Sequence, residues 1–385
     1  MHFKFFTCMT KRIAVLVYNR KHSNMWNRAT HLFAHMPSLF SGKLIYRTSN
    51  NIADTFRFLF KTLAYRPHII FMVDIGLPSL ITAVILKLLS LGRIKAVLDS
   101  GDVPHYMVKI EDYKHPFFIQ KPFEWIVYAT EHLSYKIADV ITIRGHGYKD
   151  YLRKHCHTNE LVFLPDGVPC EKFKPMNVSN LRKKYSLGDA LVLGVMGHLF
   201  WNFRYKFSYG TYMIEAMAIL KDLNIKAIIL GEGIGRKYLE ERIEELGLTD
   251  KIVFTGRVPY EELPQYLNLI DAYIFTCSPE NLLHQIRTTN KLPELCATGT
   301  YMISTNWHEA TLVLKENGII LPFHGFHDPD YPKALAQELK KIYKDRALLK
   351  KGLKGRDYAL KEYDYAVLRK RLDKVFNDLM NPPKK

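Results

Sequence analysis

The segment Ile228-Ile229-Leu230-Gly231-Glu232-Gly233-Ile234-Gly235-Arg236 carries the clearest local signal for the fold. Its first residues are a short apolar, β-branched run, and three glycines then interrupt the chain before a helical pattern at Arg236–Leu246. A strand that passes through a glycine turn into a helix is the building unit of parallel α/β sheets. The segment therefore predicts a strand and a helix of such a sheet, with helices covering both faces.

The same alternation extends over the chain and restarts once. Six strands are predicted in the first half, at Ile13–Tyr18, Leu44–Tyr46, Ile69–Val73, Lys95–Leu98, Val140–Ile143 and Leu161–Leu164. Six more are predicted in the second half, at Leu191–Met196, Ala227–Leu230, Ile252–Phe254, Ala272–Phe275, Tyr301–Ser304 and Gly318–Leu321. Helical patterns lie between them, and a terminal helical segment is expected at Ala334–Leu379. One α/β plan used twice predicts two domains of the same class.

A chain of 385 residues is long enough for two domains that each bury a core. The join is expected within Glu171–Gly188, which follows a Pro-Asp-Gly turn. We therefore predict a first Rossmann-like domain at 1–175, a second Rossmann-like domain at 176–360, and a C-terminal helix at 361–385 that packs back toward the first domain. Two open α/β sheets that face each other across a cleft would bind ligands at the carboxyl ends of their strands.

The net charge of +17 limits the partners. Residues 1–175 contain 24 Lys and Arg against 13 Asp and Glu, a net of +11. Such an excess attracts polyanions, and no helix-turn-helix, zinc-finger or RNP motif supports nucleic acid. An anionic membrane surface or a phosphorylated substrate is the expected partner. The most apolar run, Leu77–Leu91, is shorter than the roughly twenty residues that cross a bilayer, and five scattered cysteines favour a reducing cytosol.

The segment 287–300 predicts a phosphate site. Thr288, Thr289 and Asn290 are helix-capping residues, so a helix is expected to begin there and to end at Gly299. The free amides of a helix N-terminus bind phosphate, and Lys291 adds a full positive charge beside them. Glu294 lies three residues later on the same helical face, where its carboxylate can accept hydrogen bonds from a ribose diol. A capped surface helix with an exposed Lys/Glu pair is the alternative interpretation.

The order of motifs in the second half resembles that of family four glycosyltransferases, the group 1 family with the GT-B fold. The motifs are Gly231–Arg236, then Phe254–Leu263, Leu269–Tyr273 and Lys291–Gly299. In the first half, Ala138–Ile143 and the turn at Leu164–Val168 resemble the last strands and the interdomain turn of the same family. The resemblance implies an acceptor-binding domain at 1–175 and a nucleotide-sugar-binding domain at 176–360, both Rossmann-like. It also implies transfer of a sugar from a UDP- or GDP-sugar to a glycan or lipid-linked acceptor, with retention.

The resemblance also implies roles for individual residues. It implies donor binding by Gly197, Arg204, Lys206, Glu232, Val258, Thr289, Asn290, Lys291 and Glu294, with the basic pair neutralising the diphosphate. It implies catalytic residues near the transferred sugar, for which the candidates are Asp102, His105 and Glu280. His146 and His198 also fall near predicted strand ends. No metal and no other cofactor is expected, because the Asp328-Pro329-Asp330 sequence reads as a turn and fixed cations can stabilise the leaving diphosphate.

Three departures from the family pattern keep other functions open. Ile286 stands eight positions before Glu294, where the family has a first acidic partner. The loop after the first strand lacks the paired glycines of the family. His198 replaces the usual Arg after Gly197. A non-catalytic GT-B protein that binds a glycan or a partner is one alternative. An NAD-dependent oxidoreductase is another, since the glycine turn resembles a Gly-x-Gly-x-x-Gly fingerprint, but Arg236 replaces its third glycine. The expected location is cytoplasmic, with peripheral contact to the cytoplasmic face of a membrane.

Overall fold

The computed structural model describes residues 10–36, 39–110, 117–155 and 160–381. The chain forms two compact units. Unit 1 comprises residues 1–166, 286–288 and 365–385, and unit 2 comprises residues 167–285 and 289–364. The boundary therefore lies just before the predicted join, and the last helix belongs to unit 1.

Unit 1 is a six-stranded parallel sheet in the order β2-β1-β3-β4-β5-β6. Its elements are β1 (Lys11–Arg20), α1 (Asn24–Phe33), β2 (Phe40–Arg47), α2 (Asn51–Tyr65), β3 (Ile69–Val73), α3 (Leu77–Leu89), β4 (Lys95–Ser100), α4 (Pro104–Ile110), α5 (Phe117–Ile137), β5 (Val140–Ile143), α6 (His146–His155), β6 (Glu160–Phe163) and, at the end of the chain, α16 (Tyr365–Met380). The central strands are buried on both faces, as parallel strands covered by helices must be.

Unit 2 repeats the plan with the order β12-β11-β10-β7-β8-β9. Its elements are α7 (Ser179–Lys184), β7 (Leu191–Met196), α8 (Thr211–Ile219), β8 (Ile225–Leu230), α9 (Gly235–Glu245), β9 (Ile252–Gly256), α10 (Leu263–Leu267), β10 (Ala272–Phe275), α11 (Leu282–Ile286), α12 (Lys291–Thr298), β11 (Tyr301–Thr305), α13 (His308–Val313), β12 (Gly318–Leu321), α14 (Tyr331–Lys344) and α15 (Leu353–Tyr358). Short 3-10 turns lie at Thr249–Lys251 and Arg346–Gly352, and a π turn lies at Ala359–Tyr363.

All twelve predicted strands are present, with ends that differ by a few residues at most. The α/β class with two parallel sheets is therefore confirmed. The terminal segment that was expected to be one helical stretch is divided into α14, α15 and α16 with tighter and wider turns between them. In the parts of the chain that the structure describes, no helix has the length and apolar character needed to cross a membrane.

Candidate functional site

The carboxyl ends of β7, β8 and β9 in unit 2 enclose a cavity of about 500 Å³. Gly197 after β7, the loop 231–233 after β8 and the pair Arg257 and Val258 after β9 all line it. These positions converge because the three strands are parallel neighbours, so their carboxyl ends meet at one edge of the sheet. The cavity thus brings together Gly197, Glu232 and Val258, which the sequence had assigned separately.

The glycines of this edge are required by the close packing of two loops. The amide of Gly197 donates to the Leu230 carbonyl and the amide of Leu199 donates to the Glu232 carbonyl, both at 2.9 Å. Gly231 has φ +137°, and a Cβ there would lie only 1.9 Å from the carbonyl oxygen of Gly197. A Cβ on Gly233 would lie 2.2 Å from the carbonyl oxygen of Leu199. Backbone packing therefore accounts for these glycines without a dinucleotide.

Lys291 lies beside Gly197. A Cβ on Gly197 would be 2.7 Å from the Lys291 Nζ, which lies 4.2 Å from the centroid of the Tyr209 ring. Just before it, the hydroxyl oxygen of Thr289 is buried and has no hydrogen-bond partner in the described parts of the chain. A buried polar atom without a partner is uncommon and suits a ligand oxygen. A cation, an unsatisfied hydroxyl and a helix N-terminus therefore lie together next to the cavity.

The expected capping of this helix is wrong in detail. The helix α12 begins at Lys291, but Asn290 has helical torsion angles, φ −51° and ψ −30°, and its side chain makes no capping hydrogen bond. The helix ends as expected, with Gly299 in the left-handed conformation at φ +73°. A residue that is already helical cannot turn its side chain back onto the first amides, so those amides are not used by the Asn290 side chain.

Glu294 is buried, with 5% of its surface exposed, within the first turns of α12. Its negative charge interacts electrostatically with Tyr273, whose hydroxyl donates to the Met196 carbonyl at the end of β7. The pKa of Tyr273 is raised first by burial and in part by the Glu294 carboxylate. Glu294 is therefore a buried residue of unit 2, and it is not part of an exposed surface pair.

Four other assigned residues have different surroundings. Glu232 lines the cavity, and its carboxylate pairs with Arg236 at 2.6 Å. The Arg204 guanidinium lies 5.2 Å from the centroid of the Tyr205 ring, and Lys206, with φ +50°, lines a second cavity with Tyr212 and His327. Glu280 is exposed, and its amide donates to the Ser278 hydroxyl. Among the described residues, Arg204, Lys206 and Glu280 do not line the first cavity.

Two further residues lie at the cavity: His198, which the sequence placed near a strand end, and Arg257, which was not assigned from the sequence. Arg257 and His198 both line it and both are exposed. Arg257 follows β9 directly and precedes Val258, so its place at a strand end was the signal that could have identified it. It supplies a second positive charge at the same edge of the sheet as Lys291.

Unit 1 contains a buried charge network at the carboxyl edge of its sheet. The predicted strand ended at Leu98, but β4 extends to Ser100 and so includes Asp99, which is fully buried. Its carboxylate accepts hydrogen bonds from Arg28 at 2.8 and 2.9 Å, from Thr142 at 2.8 Å and from Arg144 at 3.3 Å. Burial alone would raise the pKa of Asp99, but the two guanidiniums lower it to about 2.

Asp74 lies at the end of β3 in the same network and was not identified from the sequence. It adopts the left-handed conformation with φ +63° and pairs with Arg144. Burial, against the pull of Arg144, raises the pKa of Asp74 to about 6. Asp102, an assigned residue, accepts a hydrogen bond from Arg287 at 2.7 Å within the same unit. A strained, titratable carboxylate at a strand end is typical of a functional position.

His105 is in the first turn of α4, where Glu131 of α5 contacts both its ring and its amide. Together with His132 these side chains form the group in the described residues that could hold a metal ion. The other acidic motif, Asp328-Pro329-Asp330, is a turn in which the Asp328 carboxylate accepts the amides of His324 and Asp330. The Asp330 carboxylate pairs with Lys333 at 2.9 Å.

Comparison with known proteins extends these observations. Residues 209–357 match the family of glycosyl transferases group 1. A 2-deoxystreptamine glucosyltransferase of Streptomyces kanamyceticus is 27% identical over 125 residues, 31% of each chain. A GDP-mannose-dependent alpha-(1-6)-phosphatidylinositol monomannoside mannosyltransferase of Mycobacterium tuberculosis is 25% identical over 216 residues, 55% of this chain and 54% of that protein. The chain thus spans about half or less of the length of these relatives.

Solved structures match over nearly the whole chain. Anabaena HepE in complex with UDP superposes with a TM-score of 0.71 at 13% identity, covering 96% of this chain and 100% of that one. WaaG, a glycosyltransferase involved in lipopolysaccharide biosynthesis, superposes with a TM-score of 0.63 at 17% identity, covering 96% and 100%. At such identities the likeness establishes the fold. Residues 209–357 of unit 2 thus match the glycosyl transferases of group 1, and the chain has the two-sheet fold of these solved structures.

Proposed function

We propose that the protein transfers a sugar from a nucleotide-diphosphate sugar to a glycan or lipid-linked acceptor. The observation that carries the proposal is the convergence of Gly197, the loop 231–233 and Val258 on one cavity, with Lys291 and α12 beside it. The cavity is large enough for a small ligand, and its walls are backbone and apolar surface with a few polar groups. Unit 2 is thus assigned the donor and unit 1 the acceptor.

The charge of the site supports a diphosphate ligand. Breaking the sugar–phosphate bond leaves its electron pair on the diphosphate, whose growing negative charge must be stabilised. Lys291, Arg257 and the Thr289 hydroxyl are the groups that we assign to this role. Arg204 and Lys206 stay candidates for it. Each charge-assisted hydrogen bond contributes about 1.5–3 kcal/mol. This set supports a mechanism without a metal ion, and retention of configuration is proposed with it.

The names of related proteins support the type of donor. One relative is described as GDP-mannose-dependent, and structures of Anabaena HepE contain UDP or UDP-glucose. A UDP- or GDP-sugar is therefore our proposed donor. Backbone at the cavity wall, such as that around Val258, would contact the base, and Glu294 would accept hydrogen bonds from the ribose.

The structure also bears on the two alternatives. The glycine turn follows β8, the second strand of unit 2 along the chain, and not β7, its first strand, so it does not favour NAD. A protein that binds a glycan or a partner without catalysis is supported by Ile286, which is buried and occupies the position of the family's first acidic residue. Binding of nucleotide without turnover of any donor would favour that alternative.

We also propose that unit 1 contacts an anionic membrane surface at the cytoplasmic face. The supporting surface, which we call the outer helical face, consists of exposed side chains of α2, α3 and α5. They are Ile52, Phe56, Phe60, Leu63, Leu88, Leu89, Phe123, Trp125, Ile126, Tyr128 and Leu133. On the same helices Asp54 and Glu131 are buried and Glu124 pairs with Lys121, whereas Lys61 and Lys136 are exposed. Exposed aromatics with a basic border suit the interface of an anionic bilayer.

The donor proposal is tested by thermal unfolding with UDP, GDP or NAD. One of the two nucleoside diphosphates is expected to raise the Tm, because a ligand that binds only the folded state stabilises it. Lys291→Ala should weaken that nucleotide about ten- to a hundredfold, the value of one charge-assisted contact. Lys237→Ala is the matched control, since Lys237 is an exposed lysine of α9. Stabilisation by NAD alone, or normal affinity in Lys291→Ala, would contradict the assignment.

A further inference from the structure

Glu131 holds His105 at two points. The Glu131 carboxylate has no exposed surface. Its Oε2 accepts the backbone amide of His105 at 3.0 Å, and its Oε1 lies 2.9 Å from the His105 Nδ1. The Tyr135 hydroxyl donates to the same Oε1 at 3.1 Å. An ionised carboxylate can only accept hydrogen bonds, so Nδ1 must carry a proton.

A row of buried hydroxyls supports this carboxylate from the other side. The Tyr135 hydroxyl lies 2.7 Å from the Tyr148 hydroxyl, which lies 3.0 Å from the Ser100 hydroxyl at the end of β4. The Tyr148 hydroxyl also lies 3.0 Å from the Asp102 carbonyl, so its one proton is shared between that oxygen and the Tyr135 hydroxyl. Burial raises the pKa of both tyrosines, so both keep their protons and remain donors. The loop from Ser100 to His105 is therefore tied to α5 and α6 by one hydrogen-bonded set.

This arrangement leaves the other ring nitrogen of His105 for a ligand. With Nδ1 protonated, the neutral imidazole has an acceptor lone pair on Nε2. Within the described ranges of the chain, Nε2 has no hydrogen-bond partner, and 17% of the side chain is exposed. His105 follows the carboxyl end of β4, the edge at which open α/β sheets bind ligands.

We propose that Glu131 is a positioning residue that holds His105 in the Nδ1–H tautomer, so that Nε2 accepts a hydrogen bond from a hydroxyl of the sugar acceptor bound to unit 1. The proposal rests on the proposed function for the identity of the ligand. It adds Glu131, Tyr135 and Tyr148 to the machinery, none of which the sequence motifs had indicated. A buried carboxylate that orients a histidine in this way is a common device in enzymes.

Local contacts disfavour a metal ion in the same place. The Glu131 carboxylate already accepts three hydrogen bonds, and a metal would displace at least one of them. The His132 Nδ1 lies 3.0 Å from the Tyr128 carbonyl, and its ring stacks on that tyrosine with centroids 3.9 Å apart. The Glu131 carboxylate and the His132 ring of α5 are thus already engaged by protein groups and are not free to bind a metal ion.

The test begins with the tautomer, which does not depend on turnover. In protein labelled with ¹⁵N histidine, long-range ¹H–¹⁵N spectra distinguish Nδ1–H from Nε2–H, and His105→Asn assigns the resonance. The wild-type His105 should be the Nδ1–H tautomer, and n-octyl β-D-glucoside, used as the acceptor probe, should shift its Nε2 signal. A predominant Nε2–H tautomer would overturn the proposal. So would stoichiometric Zn²⁺ binding that His132→Ala abolishes.

Two variants distinguish a positioning role of Glu131 from a purely structural role. Glu131→Gln has one acceptor oxygen for three donors, so its amide is expected to turn toward Nδ1 and favour the Nε2–H tautomer. His105→Asn keeps a donor for Glu131 and removes only Nε2, so it should fold normally. We expect both to lower kcat for nucleotide release in the presence of octyl glucoside by about 10²-fold, with unchanged nucleotide affinity. The double variant should be no slower than His105→Asn.

Glu124→Gln is the matched control on the same helix, because its carboxylate bonds only to the surface residues Lys121 and Gln120. It should leave the tautomer and kcat unchanged. Wild-type turnover in His105→Asn, or additive losses in the double variant, would overturn the positioning role. Absence of nucleotide binding by the wild type would instead count against the proposed function. Failure of the positioning role and failure of the proposed function are therefore distinguishable.

Discussion

At the residue scale, Asp99 is the carboxylate shared by two buried guanidiniums. Asp99→Asn removes its charge and leaves Arg28 and Arg144 close together with less compensation. Breaking a buried pair from one side costs about 3–5 kcal/mol, because the remaining charge stays buried. We expect a loss of that size in urea denaturation. Asp250→Asn, at an exposed position, should change the free energy of unfolding by less than about 0.5 kcal/mol.

The pH dependence of the same residue has a definite sign. The folded-state pKa of Asp99 is about 2, below the ordinary value of 3.8. Its stabilising contribution is therefore complete above pH 3.8 and is lost as the pH falls from 3.8 toward 2. Asp99→Asn should flatten the stability profile within that window. An unchanged acid profile in the variant would contradict the shared ion pair.

At the scale of elements, the turn from β8 into α9 depends on Gly231. Gly231→Ala would place a Cβ 1.9 Å from the Gly197 carbonyl oxygen, so the two loops that line the cavity would have to separate. We expect the melting temperature to fall and nucleotide affinity to drop at least tenfold. Isothermal titration with the nucleotide that stabilises the wild type provides the measurement.

Gly247 offers a matched glycine in the same unit. It also has a positive φ, +67°, but a Cβ there meets no atom within 4 Å. Gly247→Ala should therefore cost only the left-handed strain of about 1–2 kcal/mol and leave nucleotide affinity unchanged. Equal losses of affinity in the two variants would show that loop packing is not what forms the cavity.

The helix α2 has a buried face and an exposed apolar stripe. The buried face contains Asp54, Phe58 and Thr62, and the exposed stripe contains Ile52, Phe56 and Phe60. The rings of Phe56 and Phe60 are stacked with centroids 6.5 Å apart. Such an exposed stripe gains free energy by entering a bilayer interface.

Phe56→Ser with Phe60→Ser is therefore expected to weaken binding to vesicles that contain anionic phosphatidylglycerol, measured by co-sedimentation at low salt. Binding of the wild type should decrease with salt, because charge contributes to it. Phe203→Ser, an exposed phenylalanine of unit 2, is the control and should bind as the wild type does. No wild-type binding to these vesicles would refute the membrane proposal.

At the scale of the whole molecule, the C-terminal helix α16 packs into the hydrophobic core of unit 1. Phe376 of α16 is fully buried against the rings of Phe33, Phe40 and Phe71 in unit 1. Phe376→Ala should cost about 3–5 kcal/mol, the usual loss for a buried phenylalanine. Urea denaturation measures it, with Phe326→Ala, a partly exposed residue of unit 2, as the control. A small loss for Phe376→Ala would show that α16 does not contribute to that core.

Particular residues show how far the sequence could go. The twelve strands were predictable because short β-branched runs bounded by turn residues favour the strand conformation, whichever strands they pair with. Gly197, Val258 and Lys291 were assignable because each follows a strand end or begins a helix in a recognisable order. Whether they and the other assigned side chains bind a donor stays a prediction.

Other features could not be read from the chain in order. The pairing of Asp99 with Arg28 and Arg144, and of Glu131 with His105, joins residues that are 71, 45 and 26 positions apart. Arg257 lines the cavity and Arg204 does not, and only the conformations of their loops decide this. Local sequence alone therefore determined the type and order of the elements, because hydrophobic period and turn chemistry act over a few residues. The tertiary structure decided which charges are buried together and which loops close on the cavity, because both depend on contacts between distant strand ends.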